Sequence, residues 1–271
     1  MTRPPITTKQ QEILQLLYRF RFVNRIQIQA FLHHKDKRRS SRWLKDLREK
    51  QYIGWIYSTD FTEKTKPAIY YLGINGVRFL RSLNQYPVDE LGKRYKEHLR
   101  KQTFIDSCLF TADCCVNLEQ RSRNSSDLDY TYVAEADYAD PDNYYHFLSD
   151  LSPDLCYKKQ ECINDKVITT NRLLEVFDST TRHYKIKKRL SDYIAYLTSG
   201  EWEDETGDDK PPIVLIACPT QAELNYAKRL TRKLLENVVD DEDEDETIRI
   251  RFATTEQVNR QGVTGIIWKE P

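Results

Sequence analysis

Residues 36–58, DKRRSSRWLKDLREKQYIGWIYS, decide the fold of the first third of the chain. The first half of this stretch predicts a helix over about 36–50, in which Trp43, Leu44 and Leu47 recur at the spacing of a core-facing side. The remainder, YIGWIYS, is rich in β-branched and aromatic residues and predicts a strand. The helix also carries a dense group of cations near its front end. One segment therefore combines a core-packing side with a basic side.

The flanking sequence predicts two more helices before this one and a second strand after it. Apolar spacing and polar caps predict helices over 7–20 and 24–32. The segment AIYYLG at 68–73 predicts the second strand of a hairpin, and 74–83 returns to helix. Three helices followed by a two-stranded hairpin is the order of a winged helix-turn-helix, whose third helix enters the DNA major groove while the hairpin tip touches the backbone.

Charge is divided unequally along the chain, although the total is zero. Residues 1–104 contain 22 lysines and arginines against 9 acidic residues, a net of +13, and the remaining residues contain 20 against 33, a net of −13. A basic module attracts polyanions, of which nucleic acid is the commonest. The alternative is a three-helix domain whose basic helix is only solvated or binds protein.

The exposed cations and one hydroxyl of the third helix and the hairpin are the expected contacts with double-stranded DNA. The predicted DNA-binding residues are Lys37, Arg38, Arg39, Ser41, Arg42, Lys45, Lys64 and Lys66. Arginine matches guanine through its bidentate fork, so we expect the three arginines to contact bases. The lysines are expected to hold phosphates.

The rest of the chain predicts a linker that becomes a helix, over 84–103, and an α/β domain over 104–271 with a mixed sheet and helices on both faces. The predicted strands are 130–138, 152–159, 172–178, 211–219, 248–254 and 265–271, and the predicted helices are 103–119, 184–198 and 221–239. Two acidic segments, 201–209 and 240–246, are expected to be solvated insertions or to compete with DNA for the basic module.

Two carboxylates stand out in this second domain. Ser152-Pro153-Asp154 opens one predicted strand, and Glu175 lies on the next. Carboxylates on adjacent strands suit Mg²⁺, which prefers oxygen ligands and can orient a water toward a phosphodiester. This is the layout of the metal site in restriction-endonuclease-like folds. The alternative is structural, because a strand-end carboxylate can cap a loop or pair with Arg172 or Arg182.

The chain resembles the replication-relaxation family. The resemblance is carried by the 7–80 helix and hairpin pattern, by Ser-Pro-Asp154, by Leu-Leu-Glu175-Val-Phe-Asp178-Ser-Thr, and by the helix from Lys187 to Tyr193. It implies a winged helix joined to a domain similar to PD-(D/E)xK nucleases, in proteins associated with plasmids and other mobile elements. It also implies that Asp154 and Glu175 are the metal and catalytic carboxylates.

One position departs from the nuclease pattern. An E-x-K motif would place lysine where this chain has Phe177. A replacement lysine is expected from the following helix, with Lys187 as the candidate catalytic residue beside Lys185 and Lys188. Further carboxylates considered for the site are Asp178, Glu119 and Glu135. The alternative is a degenerate nuclease fold that serves as a scaffold.

These observations predict a DNA-binding protein of a plasmid or other mobile element, acting in replication, relaxation or mobilisation, or in its regulation. The alternatives are a metal-dependent endonuclease targeted by its winged helix and an adaptor for a relaxase or replication initiator. A homodimer is expected if two half-sites are bound. The cysteines form no CxxC pair, which disfavours structural zinc. No apolar run or leader-like segment is seen, so we expect a cytoplasmic protein without a membrane span.

Overall fold

A computed structural model gives the fold over residues 5–58, 60, 65–236 and 248–271. The chain divides into two compact units. The first comprises Met1–Val116 and Ala139–His146, and the second comprises Asn117–Tyr138 and Phe147–Pro271. Within the described ranges, no helix combines the length and the apolar character needed to cross a bilayer.

The first unit is mainly helical and contains one small sheet. Its helices are α1 (Thr8–Phe20), α2 (Arg25–Phe31), α3 (Lys37–Glu49), α4 (Ile74–Ser82), α5 (Val88–Lys93) and most of α6 (Gln102–Arg123), with a 3₁₀ segment at Arg94–Leu99. Its strands are β1 (Val23–Asn24), β2 (Ile53–Ile56) and β3 (Ile69–Leu72), which pair antiparallel in the order β1-β3-β2. The helices predicted over 7–20, 24–32, 36–50 and 74–83 and the predicted pair of strands are confirmed to within two residues, whereas the helix predicted over 103–119 continues to Arg123.

Polar caps explain why the first three helices begin where they do. Thr7 and Asn24 each form a capping box with a glutamine three residues later, and Asp36 accepts a hydrogen bond from the backbone N–H of Arg38 at 2.8 Å. Such bonds satisfy backbone donors that the first helical turn leaves without partners. These signals are local in sequence, which is why the helix starts are predictable.

The segment predicted as a linker is packed into the first unit. Glu97, in the 3₁₀ segment, accepts hydrogen bonds from Arg21 Nε at 2.9 Å and from Arg21 Nη2 at 3.1 Å, and both side chains are buried. A buried, bidentate pair is strongly destabilising to break because it leaves one charge uncompensated. The pair therefore fixes this segment to the end of α1.

The second unit is built on a five-stranded mixed sheet. Its strands are β4 (Leu128–Ala134), β5 (Leu155–Ile163), β6 (Lys166–Val176), β7 (Ile213–Cys218) and β8 (Ile250–Thr254), in the order β4-β5-β6-β7-β8. Its helices are α7 (Glu135–Tyr138), α8 (His183–Thr198), α9 (Glu201–Thr206), α10 (Gln221–Leu235) and α11 (Thr255–Gln261), with a 3₁₀ segment at His146–Ser149. The first three strands pair antiparallel and the last three pair parallel. Every residue of β7 is buried, as expected for a strand flanked by parallel neighbours.

The strands around the predicted carboxylates are longer than the sequence indicated. β5 and β6 form one hairpin whose turn is Asn164-Asp165, and both turn residues have positive φ, at 51° and 61°. Asparagine and aspartate tolerate this left-handed conformation better than most residues, and two of them in succession suit the tightest hairpin turns. The predictions of strands at 152–159 and 172–178 captured the ends of the hairpin near the carboxylates and missed its far end.

Two predicted strands of the second unit need correction. The strand predicted over 130–138 ends at Ala134, where Asp137 accepts a hydrogen bond from the Ala134 backbone N–H at 2.7 Å and the chain turns into α7. The strand predicted over 265–271 is wrong, since Lys269 forms only an isolated bridge with Phe252. A short strand needs a partner along its length, which local sequence does not specify.

The acidic segment 201–209 is partly ordered and anchored. Gly200 and Gly207 have φ of 79° and 69° and bound α9, and Trp202 of this helix is only 3% exposed. The prediction of a wholly solvated insertion is therefore wrong for this segment. The second acidic segment, 240–246, lies outside the described residues.

Candidate nucleic-acid interface and carboxylate cluster

Helix α3 separates its apolar and basic residues by helical period. Leu44 and Leu47 are buried, and Ser40 on the same side is fully buried. The exposed side carries the predicted contacts Lys37, Arg38, Arg39, Ser41, Arg42 and Lys45. A helix with 3.6 residues per turn places such residues on one broad surface, which we call the α3 basic face. Trp43, predicted for the core, is only half-buried.

Few of these side chains are committed to strong contacts within the described residues. Lys45 Nζ lies 3.8 Å from Glu49 Oε1, and both side chains are mostly exposed, so this ion pair contributes little. The Arg39 guanidinium lies 5.5 Å from the centre of the Trp43 ring. Ser41 Oγ donates to the carbonyl of Lys37 at 2.8 Å, which uses its proton within the helix. The cations thus remain available to an anionic ligand.

The hairpin that follows α3 carries features that the sequence interpretation missed. Lys66 is exposed, and Lys64 lies outside the described residues. The rings of Trp55 and Tyr57 are parallel, with an interplanar angle of 1° and centroids 5.4 Å apart, and the Arg48 guanidinium lies 4.2 Å from the Trp55 centroid. The signal was present as two aromatics two residues apart on a strand, which places them on one side of the sheet.

In the second unit, the fold brings Asp154 and Glu175 together. Asp154 directly precedes β5, and Glu175 lies near the end of β6, with Leu155 and Leu174 as paired residues of the hairpin. Asp154 Oδ2 accepts a hydrogen bond from the backbone N–H of Val176 at 2.7 Å. The two carboxylates are therefore held at the same end of neighbouring strands.

Glu175 is fully engaged by side chains of α8. Arg189 donates to it through both Nε, at 2.8 Å from Oε1, and Nη2, which contacts Oε2. Tyr193 Oη also donates to Oε2, at 2.8 Å. Arg189 Nη1 donates in addition to the carbonyl of Leu151 at 2.7 Å. This bidentate, charge-assisted arrangement is the strong form of an arginine–carboxylate contact.

The electrostatics of the cluster follow from this arrangement. Burial raises the pKa of Asp154 well above its ordinary value, and the neighbouring charges of Glu175 and Glu135 raise it further. Burial by itself would lower the pKa of Arg189, but its hydrogen bond to Glu175 raises the pKa above the usual value. Burial also raises the pKa of Tyr193, and the charge of Glu175 adds to this effect. The cluster therefore places an Asp154 carboxyl with a raised pKa beside one closed ion pair.

The cation at this site is Arg189, which the sequence interpretation did not consider. Lys187 and its neighbours Lys185 and Lys188 are exposed on α8. Residues two apart on a helix do not face the same way, so Lys187 does not share the side from which Arg189 reaches Glu175. Arg189 lies three residues after the buried Ile186 and four before the buried Tyr193; the spacing can be counted in the sequence, whereas the contact with Glu175 depends on how α8 packs against the sheet.

The remaining candidates have structural contacts of their own. Phe177 is buried, and its backbone N–H donates to the carbonyl of Ala217 at 2.9 Å. Asp178 caps the turn that precedes α8, accepting from the backbone N–H of Thr180 at 2.7 Å. Partial burial would raise the pKa of Asp178, but the hydrogen bonds it accepts in this turn outweigh burial and lower the pKa. Glu119 accepts a hydrogen bond from Tyr132 Oη at 2.7 Å. Its use as a metal ligand would break that bond.

The arrangement does not fit a Mg²⁺ ion. Both oxygens of Glu175 are occupied by Arg189 and Tyr193, and the burial that raises the pKa of Asp154 disfavours the charged form that a metal ligand needs. Over the part of the chain that the structure describes, no group of three or more His, Cys, Asp or Glu residues is placed to hold a metal. A divalent cation would have to displace the guanidinium of Arg189. The Arg172 and Arg182 pairings considered as alternatives are replaced by this Arg189 pair.

Comparison with known proteins identifies the family. Residues 14–209, more than two thirds of the chain, match the family model described as replication-relaxation. The chain belongs to the replication-relaxation family. Membership in this family indicates a role in the replication or relaxation of mobile elements.

Similarity to individual proteins is much weaker. No curated protein matches this replication-relaxation protein. Among solved structures it is similar to a double mutant of ZitR from Lactococcus lactis, at 19% identity over 33% of this chain and 58% of that chain, with a TM-score of 0.26. A single mutant of the same ZitR matches at 19% identity over 36% of this chain and 68% of that chain, with a TM-score of 0.24. The first match spans less than two thirds of the ZitR chain, and at these TM-scores neither match supports an argument about function.

Proposed function

We propose that residues 1–83 form a winged helix-turn-helix that binds double-stranded DNA of a plasmid or other mobile element. The observation that carries the proposal is the α3 basic face, a row of exposed cations on a helix whose opposite side packs into the core. The order α1-β1-α2-α3-β2-β3, with its small antiparallel sheet, supports it. In this proposal α3 lies in the major groove and the β2–β3 hairpin contacts the backbone.

The arginines and the lysines of the α3 basic face are suited to different parts of the DNA. Arg38, Arg39 and Arg42 would contact base edges, where guanidinium forks match guanine O6 and N7. Lys37 and Lys45, with Ser41, Lys64 and Lys66, would hold phosphates and set the position of the helix. About five phosphate contacts give a slope of log K against log salt of roughly −4.5.

In this proposal the second unit is a scaffold of nuclease-like origin that no longer needs a metal. The closed pair of Arg189 and Glu175 supports it, because the guanidinium supplies the positive charge that a cation would otherwise provide. A relaxase or replication initiator would then bind the second unit, which is acidic, and act on the DNA that the first unit holds. A homodimer on two half-sites is compatible with this function.

The test measures affinity for a duplex selected from a random library, by fluorescence anisotropy over a range of salt. We expect the triple Arg38→Ala, Arg39→Ala, Arg42→Ala variant to lose preference for the selected sequence over random duplex. The controls are matched in charge and lie on α10: Arg229→Ala, Arg232→Ala and Lys233→Ala. A wild-type salt slope near zero, or equal losses in both triple variants, would refute duplex binding by the α3 basic face.

A metal-dependent endonuclease is the second candidate, favoured by the closeness of Asp154 and Glu175 at neighbouring strand ends. It requires Arg189 to release Glu175 when DNA binds. Nicking of supercoiled plasmid with Mg²⁺ or Mn²⁺ decides between the two. Nicking by the wild type that is lost in Asp154→Ala, with DNA binding retained, would establish the endonuclease. Binding without nicking would leave the scaffold function.

A further inference from the structure

The aromatic pair that begins on β2 is exposed on the surface of the first unit. Trp55 is 41% exposed and Tyr57 is 43% exposed. Their rings are parallel, and the guanidinium of Arg48 lies 4.2 Å from the Trp55 ring. Arg48, Trp55 and Tyr57 thus form a cationic aromatic platform at the end strand of the small sheet.

Folding accounts for only part of this arrangement. β2 is an edge strand, and along one side of it Ile53 is buried whereas Trp55, two residues later, is 41% exposed. Tyr70, paired with Trp55 across the hairpin, is buried, and its burial raises the pKa of its hydroxyl, whereas the charges of Arg48 and Arg25 act to lower that pKa. Arg48 therefore acts on the buried Tyr70 and also lies against the Trp55 ring, much of which remains exposed.

The chemistry of the platform fits an unpaired base. Aromatic rings bind nucleic-acid bases by stacking, and an adjacent arginine adds a cation–π contribution and neutralises phosphate. Bases inside a duplex have both faces covered by their neighbours, so only an unstacked base can occupy the platform. The excess of cations in residues 1–104, 22 against 9 acidic residues, is complementary to a polyanion.

We propose that Arg48, Trp55 and Tyr57 bind single-stranded DNA by stacking a base on the exposed rings. This activity goes beyond the proposed duplex contact. Arg48 lies on α3 and Trp55 on the hairpin, but none of the three residues is among the side chains proposed to contact base edges or phosphates. A protein with both surfaces holds a duplex on α3 and a melted strand on the edge strand beside it. Duplex binding and single-strand binding can therefore be lost independently of each other.

The experiment measures binding of the full-length protein to a fluorescein-labelled oligothymidylate of about 15 nucleotides, a length near the usual site size of single-strand binders. A blunt duplex of the same length is measured in parallel. We expect Trp55→Ala with Tyr57→Ala to weaken oligothymidylate binding about tenfold or more, with duplex affinity unchanged. Trp55→Phe with Tyr57→Phe keeps both rings and should keep most of the affinity.

Tyr95→Ala is the matched control. Tyr95 is an exposed aromatic of the same unit, 37% exposed, and it also lies near an arginine, with Arg81 5.6 Å from its ring, whereas Trp55 and Tyr57 stack on each other. Its loss should leave oligothymidylate affinity unchanged. Tryptophan fluorescence adds a direct readout, because the oligonucleotide should quench the wild type more than it quenches Trp55→Phe.

Three results would overturn the proposal. The first is an absence of oligothymidylate binding by the wild type. The second is equal weakening of single-strand and duplex binding in the double alanine variant. The third is a change of molecular mass in light scattering with unchanged oligothymidylate affinity, which would assign the platform to contact between two copies of the chain.

Discussion

The ion pair between Arg189 and Glu175 provides the sharpest test of the structure of the second unit. Arg189→Met keeps much of the length of the side chain but removes the guanidinium. It leaves Glu175, only 8% exposed, without the two donors from Nε and Nη2, and it leaves the carbonyl of Leu151 without the donor at 2.7 Å. Breaking a buried ion pair from one side costs about 3–5 kcal/mol. The Arg189 side chain is 24% exposed, so we expect the lower end, about 3 kcal/mol.

A double-mutant cycle separates the pair from the packing of each side chain. Glu175→Gln keeps an oxygen that can accept from Tyr193 and should cost about 1–2 kcal/mol. The double variant has no uncompensated buried charge, so its loss should fall short of the sum of the single losses. We expect a coupling of about 2 kcal/mol.

The assay is urea unfolding followed by tryptophan emission. Two compact units need not unfold together, so a single transition cannot be assumed. A background with Trp43→Phe and Trp55→Phe leaves Trp202 and Trp268 as reporters, and both belong to the second unit. A loss below about 1 kcal/mol for Arg189→Met, or a coupling within about 0.5 kcal/mol of zero, would refute a strongly coupled pair.

Two further predictions concern the carboxylate cluster and the glycines of the first unit. The pKa of Asp154 is raised in the folded state, so the folded protein holds a proton that the unfolded chain has already lost, and stability falls as pH rises from about 4 toward the folded-state pKa. Asp154→Asn keeps an oxygen that accepts from the Val176 N–H. The free energy of unfolding of this variant should therefore change less with pH over this range, and at neutral pH it should equal or exceed that of the wild type. An unchanged pH profile would contradict this account. Gly76→Ala would place a Cβ 2.3 Å from the backbone oxygen of Tyr52 and should destabilise the first unit by about 1–3 kcal/mol, although alanine is the better helix former. Gly92→Ala meets no heavy atom within 4 Å and should stabilise by about 0.4–1 kcal/mol, so thermal unfolding that ranks the two variants the other way would disprove the packing argument.

The first unit was predictable because its signals are short in range. Thr7, Asn24 and Asp36 mark helix starts through bonds to residues two or three positions later. The hydrophobic period of each helix then fixes which side is buried. The Trp55 and Tyr57 platform was missed because exposure depends on where the sheet ends, and the order β1-β3-β2 makes β2 an edge.

The second unit was less predictable because its strands pair over long distances. The Asn164-Asp165 turn could have revealed the hairpin, but the halves of β5 and β6 next to it are largely exposed, and their apolar residues Ile163, Val167 and Ile168 lack the pattern of a buried strand. For the strand predicted over 265–271, nothing in the local sequence argued against a strand. Its failure became visible only from its pairing, which is limited to Phe252.

The sequence by itself determined the order of elements in the first unit, the basic side of α3, and the choice of Asp154 and Glu175 as residues that meet. Each of these follows from spacing along the chain or from the pairing of consecutive strands. Tertiary structure decided what those carboxylates contact. Helix α8 carries four cations within five residues, Lys185, Lys187, Lys188 and Arg189, and each could in principle pair with a carboxylate. The rotation of the helix against the sheet selects Arg189 for Glu175. That rotation is set by burial of Ile186 and Tyr193, a property of packing across the fold rather than of any one segment.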